Sequence, residues 1–293
     1  MEIFGVPSAL LGSQLLVGLI NGSFYAILSL GLAIIFGLLN IINFTHGAQY
    51  MMGAFVAWIA LNKLGINYWV ALLFAPIVIG ALGVVIERTM LRKLYKLDHL
   101  YGLLLTFGLA LIFEGIFRDQ YGISGQSYPV PELLQGGVNL GFMFLPIYRG
   151  WVVVAALTVC FATWFIIEKT KLGAYLRAGT ENPQIVQALG INVPLLITFT
   201  YGFGVALAAF AGVLAAPIYQ VSPLMGSNLI IVVFAVVVIG GMGSIMGSIL
   251  TGIGLGLIEG LTRVFYPEAS AVVVFVIMVI VLLVRPAGLF GKA

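Results

Sequence analysis

The chain has 293 residues, of which 62% are hydrophobic and 8% charged, with a net charge of +3. A soluble domain carries roughly 25% charged residues, so too few remain here to cover a water-facing surface, and a mean hydropathy of +1.17 makes lipid the solvent for most of the chain. The basic residues lie in short connections between apolar runs, which argues against a nucleic-acid surface, and the single cysteine, Cys160, allows no internal disulfide.

The first residues lack the positively charged start of a cleavable signal peptide, and the first apolar run is too long for one. A helix needs about 20 apolar residues to cross ~30 Å of hydrocarbon. Nine candidate segments follow in chain order: 9–38, 46–62, 68–90, 99–118, 150–168, 194–219, 228–241, 243–264 and 268–285. The first is long enough to tilt, or to break near Asn21-Gly22. The seventh is short, meets the eighth at Gly240-Gly241-Met242-Gly243, and reads as a half-helix or a full crossing. The expected architecture is an all-α, polytopic transmembrane helical bundle of about 8–9 spans.

Orientation follows from Lys and Arg in the short connections. With nine crossings, Arg88, Arg92, Lys93, Lys96, Lys169, Lys171, Arg177, Arg285 and Lys292 fall on one side, and Lys63, Arg118, Arg149 and Arg263 on the other. That bias places the C-terminus in the cytoplasm and the N-terminus outside. The long break at 119–149, rich in glycine and proline, is then external, and a loop of that length is functional or carries a short helix of its own.

The most informative polar stretch is 177–192. Asn182 is a good N-cap, Pro183 suits the first helical position, and Gly190 suits the left-handed residue after a helix end. A short cytoplasmic helix of about two turns is expected, with Ile185, Val186 and Leu189 as its apolar stripe. So short a helix is not stable alone in water. It is either a plain connector or a docking helix for a cytoplasmic motor.

Four further patterns bear on function. Gly240, Ser244, Ser248, Gly252, Gly256 and Gly260 recur every fourth position; such rows let helix backbones approach closely, and this one is expected to meet more than one neighbour. Polar residues cluster at Asn40, Asn43, Thr45, His46 and Gln49. His46 there is a ligand, a proton carrier or, more simply, a cap for the second segment. Asn21-Gly22-Ser23 sits within a span and suggests a helix break that lines a cavity or packs against a neighbour. Glu114/Arg118 and Glu259/Arg263 are spaced to pair along helices near the outer ends of spans. Asn21, Asn43, His46, Gly240, Gly241 and Gly243 are therefore the candidate pathway or gate residues.

Some chemistries have no motif here. There is no P-loop, no His-Glu-x-x-His and no Gly-x-Ser-x-Gly. His46 and His99 are the only histidines, too few for a His-rich zinc site. No catalytic residues, metal site or cofactor are expected, and an intramembrane enzyme lacks a nucleophile-and-base set.

Several stretches together resemble the permease subunits of high-affinity branched-chain amino acid ABC importers, nearest to the shorter of the two permease types. They are Asn21-Gly-Ser-Phe-Tyr-Ala26, Ile42-Asn-Phe-Thr-His-Gly47 with Met52-Gly-Ala54, Glu87-Arg88, Glu181-Asn-Pro183 with Leu189-Gly-Ile-Asn192, Ala211-Gly-Val-Leu214, Val238-Ile-Gly-Gly-Met-Gly-Ser244 with Gly247, and Arg285-Pro286 with Gly288-Leu-Phe-Gly291. The match runs through nearly the whole chain in order. After Glu87-Arg88 this chain has Thr89-Met-Leu-Arg-Lys93 where the family usually shows a basic motif with proline.

The resemblance implies a single transmembrane permease domain over 1–293 in the cell inner (plasma) membrane. It implies two cytoplasmic ATPase subunits, a second homologous permease subunit and a periplasmic or extracellular substrate-binding protein as partners. It gives Arg177, Glu181, Asn182, Pro183, Leu189 and Gly190 the role of the ATPase-coupling loop. The family also holds importers of urea and short amides. A self-contained channel or secondary carrier is the rival from another class.

Overall fold

The computed structural model describes residues 2–3, 6–39, 42–95 and 97–291; Asn40, Lys96 and Lys292, used above, lie outside the described residues. Among those described, the helices are α1 (Ser8–Leu39), α2 (Thr45–Leu64), α3 (Tyr68–Thr89), α4 (His99–Tyr121), α5 (Ile147–Lys169), α6 (Lys171–Glu181), α7 (Pro183–Ala188), α8 (Val193–Ala215), α9 (Met225–Gly240), α10 (Ile245–Phe265) and α11 (Val273–Val284). Two small antiparallel hairpins pair β1 (Glu2–Ile3) with β2 (Val6–Pro7) and β3 (Gly137–Asn139) with β4 (Phe144–Pro146).

Local chemistry marks the helix ends. Gly65, at φ 64°, closes α2 by turning its N–H back to the carbonyls of Ala60 and Leu61. Asn67 caps α3 by accepting from the Val70 amide, and Asp98 caps α4 through Leu100. Ser244 does the same for α10 through Gly247. The long break, read as functional or as carrying a short helix of its own, holds a short 3-10 helix at Glu132–Leu134 and the β3–β4 hairpin.

Among the described residues, six helices are long and apolar enough to cross a membrane: α1, α3, α4, α5, α8 and α10. The protein is thus a multi-pass, all-α membrane protein. The other apolar helices are less complete. At 1.5 Å per residue, the 16 residues of α9 reach ~24 Å and the 12 of α11 ~18 Å, short of ~30 Å of hydrocarbon. A count of about 8–9 spans therefore depends on α2, α9 and α11.

The chain divides into two compact units: the first is Met1–Ser29, Pro129–Cys160 and Val232–Ala293, the second Leu30–Tyr128 and Phe161–Ile231. In the first, α1 and α10 lie backbone against backbone. A methyl group on Gly252 would sit 2.6 Å from the Ala26 nitrogen, one on Gly256 2.4 Å from Gly18 O, and one on Gly260 2.4 Å from Gln14 O. Gln14, Gly18, Gly22 and Ala26 are themselves four apart, so two four-residue ridges run antiparallel along each other. The Gly252, Gly256 and Gly260 part of the row therefore lies along α1, which carries the same spacing, while Gly240 at the start of the row meets Gly247. α1 is also unbroken through Asn21-Gly22-Ser23. Gly22 serves the packing, with Ile253 Cα 3.0 Å from where its methyl group would be, and Ser23 satisfies itself on the Leu19 carbonyl at 2.8 Å.

In the second unit α8 is the central helix. Methyl groups on its Gly204 and Gly212 would lie 2.8 Å from Gly31 O of α1 and 2.0 Å from Tyr50 O of α2. Gly83 of α3 packs on the Val205 side chain at 2.8 Å by the same measure. Without a hydrophobic force between helices in lipid, such close approach supplies the dispersion energy that holds them.

Candidate functional site

Between α5 and α8 the chain makes two helices. The sequence points only to the second. In the first, Gly173 lets α6 fold back on α5: a methyl group there would lie 1.5 Å from the Ile167 carbonyl oxygen. Arg177 fixes the fold-back, donating to that same carbonyl at 3.1 Å and pairing with Glu168 at 3.5 Å. Glu181 ends α6, exposed. Asn182 then accepts from the Ile185 amide at 3.1 Å to start α7, with Pro183 in its first turn. Gly190 has φ 85°, and its N–H reaches the Gln187 carbonyl at 2.9 Å. Ten residues after Asn182, Asn192 repeats the cap on Leu195 and opens α8. Val186 turns inward at 5% exposure, whereas Ile185 and Leu189 point out at 60% and 75%. Leu172 and Tyr175 of α6 are also exposed.

The far end of α3 is tied to this segment by a buried carboxylate. Glu87 accepts from the Tyr95 hydroxyl and the Thr198 hydroxyl, each at 2.7 Å. Burial, then the bond to Glu87, pushes the Tyr95 hydroxyl well above the usual tyrosine range, so it remains a donor. Because Thr198 is in the second turn of α8, the basic connection 88–93 and the basic segment 169–177 share one face. Sequence reading noted Glu87 only within a motif; the signal that could have found it is an acid inside an apolar run.

The polar cluster of the first connection lies deep inside the second unit. Thr45 donates to the Thr106 carbonyl at 3.4 Å, and Thr106 is ~10 Å along α4 at 1.5 Å per residue. So α2 begins within the bundle. The backbone exposed by this start is satisfied locally: the Phe44 amide donates to the Thr106 hydroxyl at 3.2 Å, and that hydroxyl donates to the Ile42 carbonyl at 3.0 Å. Irregular backbone at membrane depth is tolerated where protein supplies such partners. His46 does not cap α2; the cap position is Phe44, with no side-chain bond. His46 is fully buried against α1, its Cε1 3.0 Å from where a methyl group on Gly31 would be. Asn43 and Gln49 are buried with it and meet at 3.5 Å.

Gly240, Gly241 and Gly243 form one turn between α9 and α10, with φ 100° at Gly241 and 84° at Gly243. The C-terminal segment lies on it: Leu289 donates to the Ile239 carbonyl at 2.8 Å and Phe290 to Gly240 at 3.2 Å. The candidate pathway residues thus belong to three features: Asn43 with His46 in the second unit, the three-glycine turn in the first, and Asn21 on α1. Of the two expected helix pairs, Glu259–Arg263 forms, and Tyr25 joins it by donating to Glu259 at 2.8 Å. Glu114 instead accepts from the Ser227 hydroxyl. Among the described residues no cluster of three or more His, Cys, Asp or Glu stands in metal-binding range.

Known proteins resemble this chain along nearly its whole length. Residues 14–282 match the family described as the branched-chain amino acid transport system permease component. The high-affinity branched-chain amino acid transport system permease protein BraD of Pseudomonas aeruginosa is 33% identical, covering 95% of each chain. LivH of Salmonella typhimurium, named as the same kind of permease, is 30% identical over 95% of each. LivM of that organism is 28% identical over 90% of this chain and 67% of its own. Among solved structures, PsaBC from Streptococcus pneumoniae in complex with Fab shares the fold, with a TM-score of 0.50 at 12% identity over 92% of this chain and 91% of that one. With its family match and its buried, glycine-packed helices, this chain belongs to the branched-chain amino acid transport permease family.

Proposed function

We propose that this chain is a permease subunit of an ATP-driven importer that carries branched-chain amino acids across the cell inner membrane. Residues 1–293 act as one transmembrane domain built from the two units. A second, homologous permease completes the pathway, two cytoplasmic ATPases power it, and an external substrate-binding protein delivers the amino acid. The names of the relatives support the substrate, and the likeness to both LivH and LivM supports a paired permease.

The observation that carries the ATPase reading is the outward apolar set of α6 and α7. Leu172, Tyr175, Ile185 and Leu189 are exposed on a segment whose first part carries Lys169, Lys171 and Arg177, and α7 alone is too short to be stable in water. A cytoplasmic partner that covers this face explains both features. Glu87 and Thr198 supply the route inward, since a displacement of α7 reaches α8 directly and α3 through the buried carboxylate. Such a displacement shifts the pathway only if the ATPases bind its two states differently.

The test is reconstitution of the complete importer in proteoliposomes. Leucine uptake that requires ATP and is lost, with the ATPases released, on Leu189→Asp supports the reading. Leucine uptake that persists without the ATPases makes the protein a self-contained carrier.

A further inference from the structure

A cavity of about 340 Å3 opens in the second unit where the starts of α2 and α9 meet the middle of α4. Its wall is mostly apolar, including Phe44, Phe107, Leu111, Ile230 and Ile231. Glu114 is the one ionisable group in the lining. At 1.5 Å per residue it stands ~22 Å from the start of α4 and ~10 Å from its end, about two turns inside the outer end of a helix long enough to span. A carboxylate at that depth is costly unless something cationic or strongly polar meets it. The Ser227 hydroxyl is the partner it has here, and one neutral hydroxyl compensates a carboxylate only in part. Packing offers no reason for an acid at this position.

The cavity volume lies at the small end of the range that holds compact ligands. The chemistry that fits is a small molecule with a cationic head and an aliphatic body. Resting on the importer reading above, we propose that this cavity is a transient station for the amino acid in transit. Glu114 takes its ammonium group, and the Phe44, Phe107 and Ile230 wall takes its branched side chain. Ser227 holds the carboxylate when the station is empty and gives it up to the ligand. A hydroxyl that competes in this way keeps binding weak, which suits a site that must release what it takes.

The experiment measures leucine and valine uptake and ATP hydrolysis by the whole importer in proteoliposomes. Glu114→Gln should lower the maximal leucine uptake rate about tenfold or more, the scale of a lost bond to a charged group. Binding-protein-stimulated ATP hydrolysis and subunit assembly should remain, and Glu114→Asp should retain most uptake. Ala110→Phe, which keeps the carboxylate and narrows the cavity, should slow leucine more than valine. An assembled Glu114→Gln importer that moves leucine at the wild-type rate overturns the station. If Glu114→Gln does not assemble, Ala110→Phe with undiminished uptake of both amino acids overturns it. A wild-type importer that carries no branched-chain amino acid overturns the functional reading itself, a result distinct from either.

Discussion

The Glu87 carboxylate, buried at the end of α3, accepts the Thr198 hydroxyl at 2.7 Å from the second turn of α8. The bond joins the helix that leads into one basic connection to the helix that follows the other basic segment. Removing one partner of a buried charge leaves the charge uncompensated. Thr198→Val, nearly the same shape, should destabilise the fold by about 1–3 kcal/mol. Thermal unfolding of the purified protein in detergent checks this. A midpoint unchanged from wild type would show that the bond holds nothing.

The second partner of Glu87 makes a prediction about pH. Tyr95 is held above its ordinary value of 10.0, first by burial and then by its bond to Glu87. A raised value for this acid means that the folded state favours the protonated form. The contribution is therefore fully present below about pH 10 and is lost as pH rises towards the folded value. Tyr95→Phe should lower the thermal midpoint by the same amount at pH 6, 7.5 and 9. A loss that shrinks steadily towards pH 9 would mean that Tyr95 ionises in that range.

A side chain at Gly190 would be strained by φ rather than by space, since no atom lies within 4 Å of where its methyl group would be. Gly190→Val should disturb the end of α7 because a β-branched residue resists this conformation. Gly190→Asn, which tolerates it, should behave nearly as wild type. The expected outcome is normal membrane insertion for both, with binding-protein-stimulated ATP hydrolysis uncoupled from uptake only in the valine variant. Equal coupling in the two would remove the special role of this turn.

Two glycines of α10 give an internal control. Gly256 lies against the backbone of α1, whereas Gly254 has nothing within 4 Å. Gly256→Val should push the helices apart and cost about 1–3 kcal/mol or more, reducing the yield of monodisperse protein. Gly254→Val should express and elute like wild type. Size-exclusion profiles of the two variants, side by side, decide the matter.

Much of this protein was legible along the chain. The apolar runs placed the long helices, since length and hydropathy are local quantities. Asn182, Pro183 and Gly190 marked the limits of α7 because caps and positive φ are set within a few residues. The Gly252–Gly260 row announced a close helix contact. What could not be read was the partner of each feature. Nothing in the residues around Gly173 announces the Ile167 carbonyl that lies against it. Glu114 reads as half of a helix pair until Ser227 reaches it from α9, 113 residues away. His46 reads as a cap until α2 is found to begin deep in the bundle.

The sequence by itself determined that the chain lives in lipid, that its helices are held by small residues, and which family it resembles. Tertiary structure decided which of its few polar groups meet. A buried polar side chain that its own helix cannot satisfy must meet a specific neighbour, and that neighbour is chosen by packing between segments far apart in the chain.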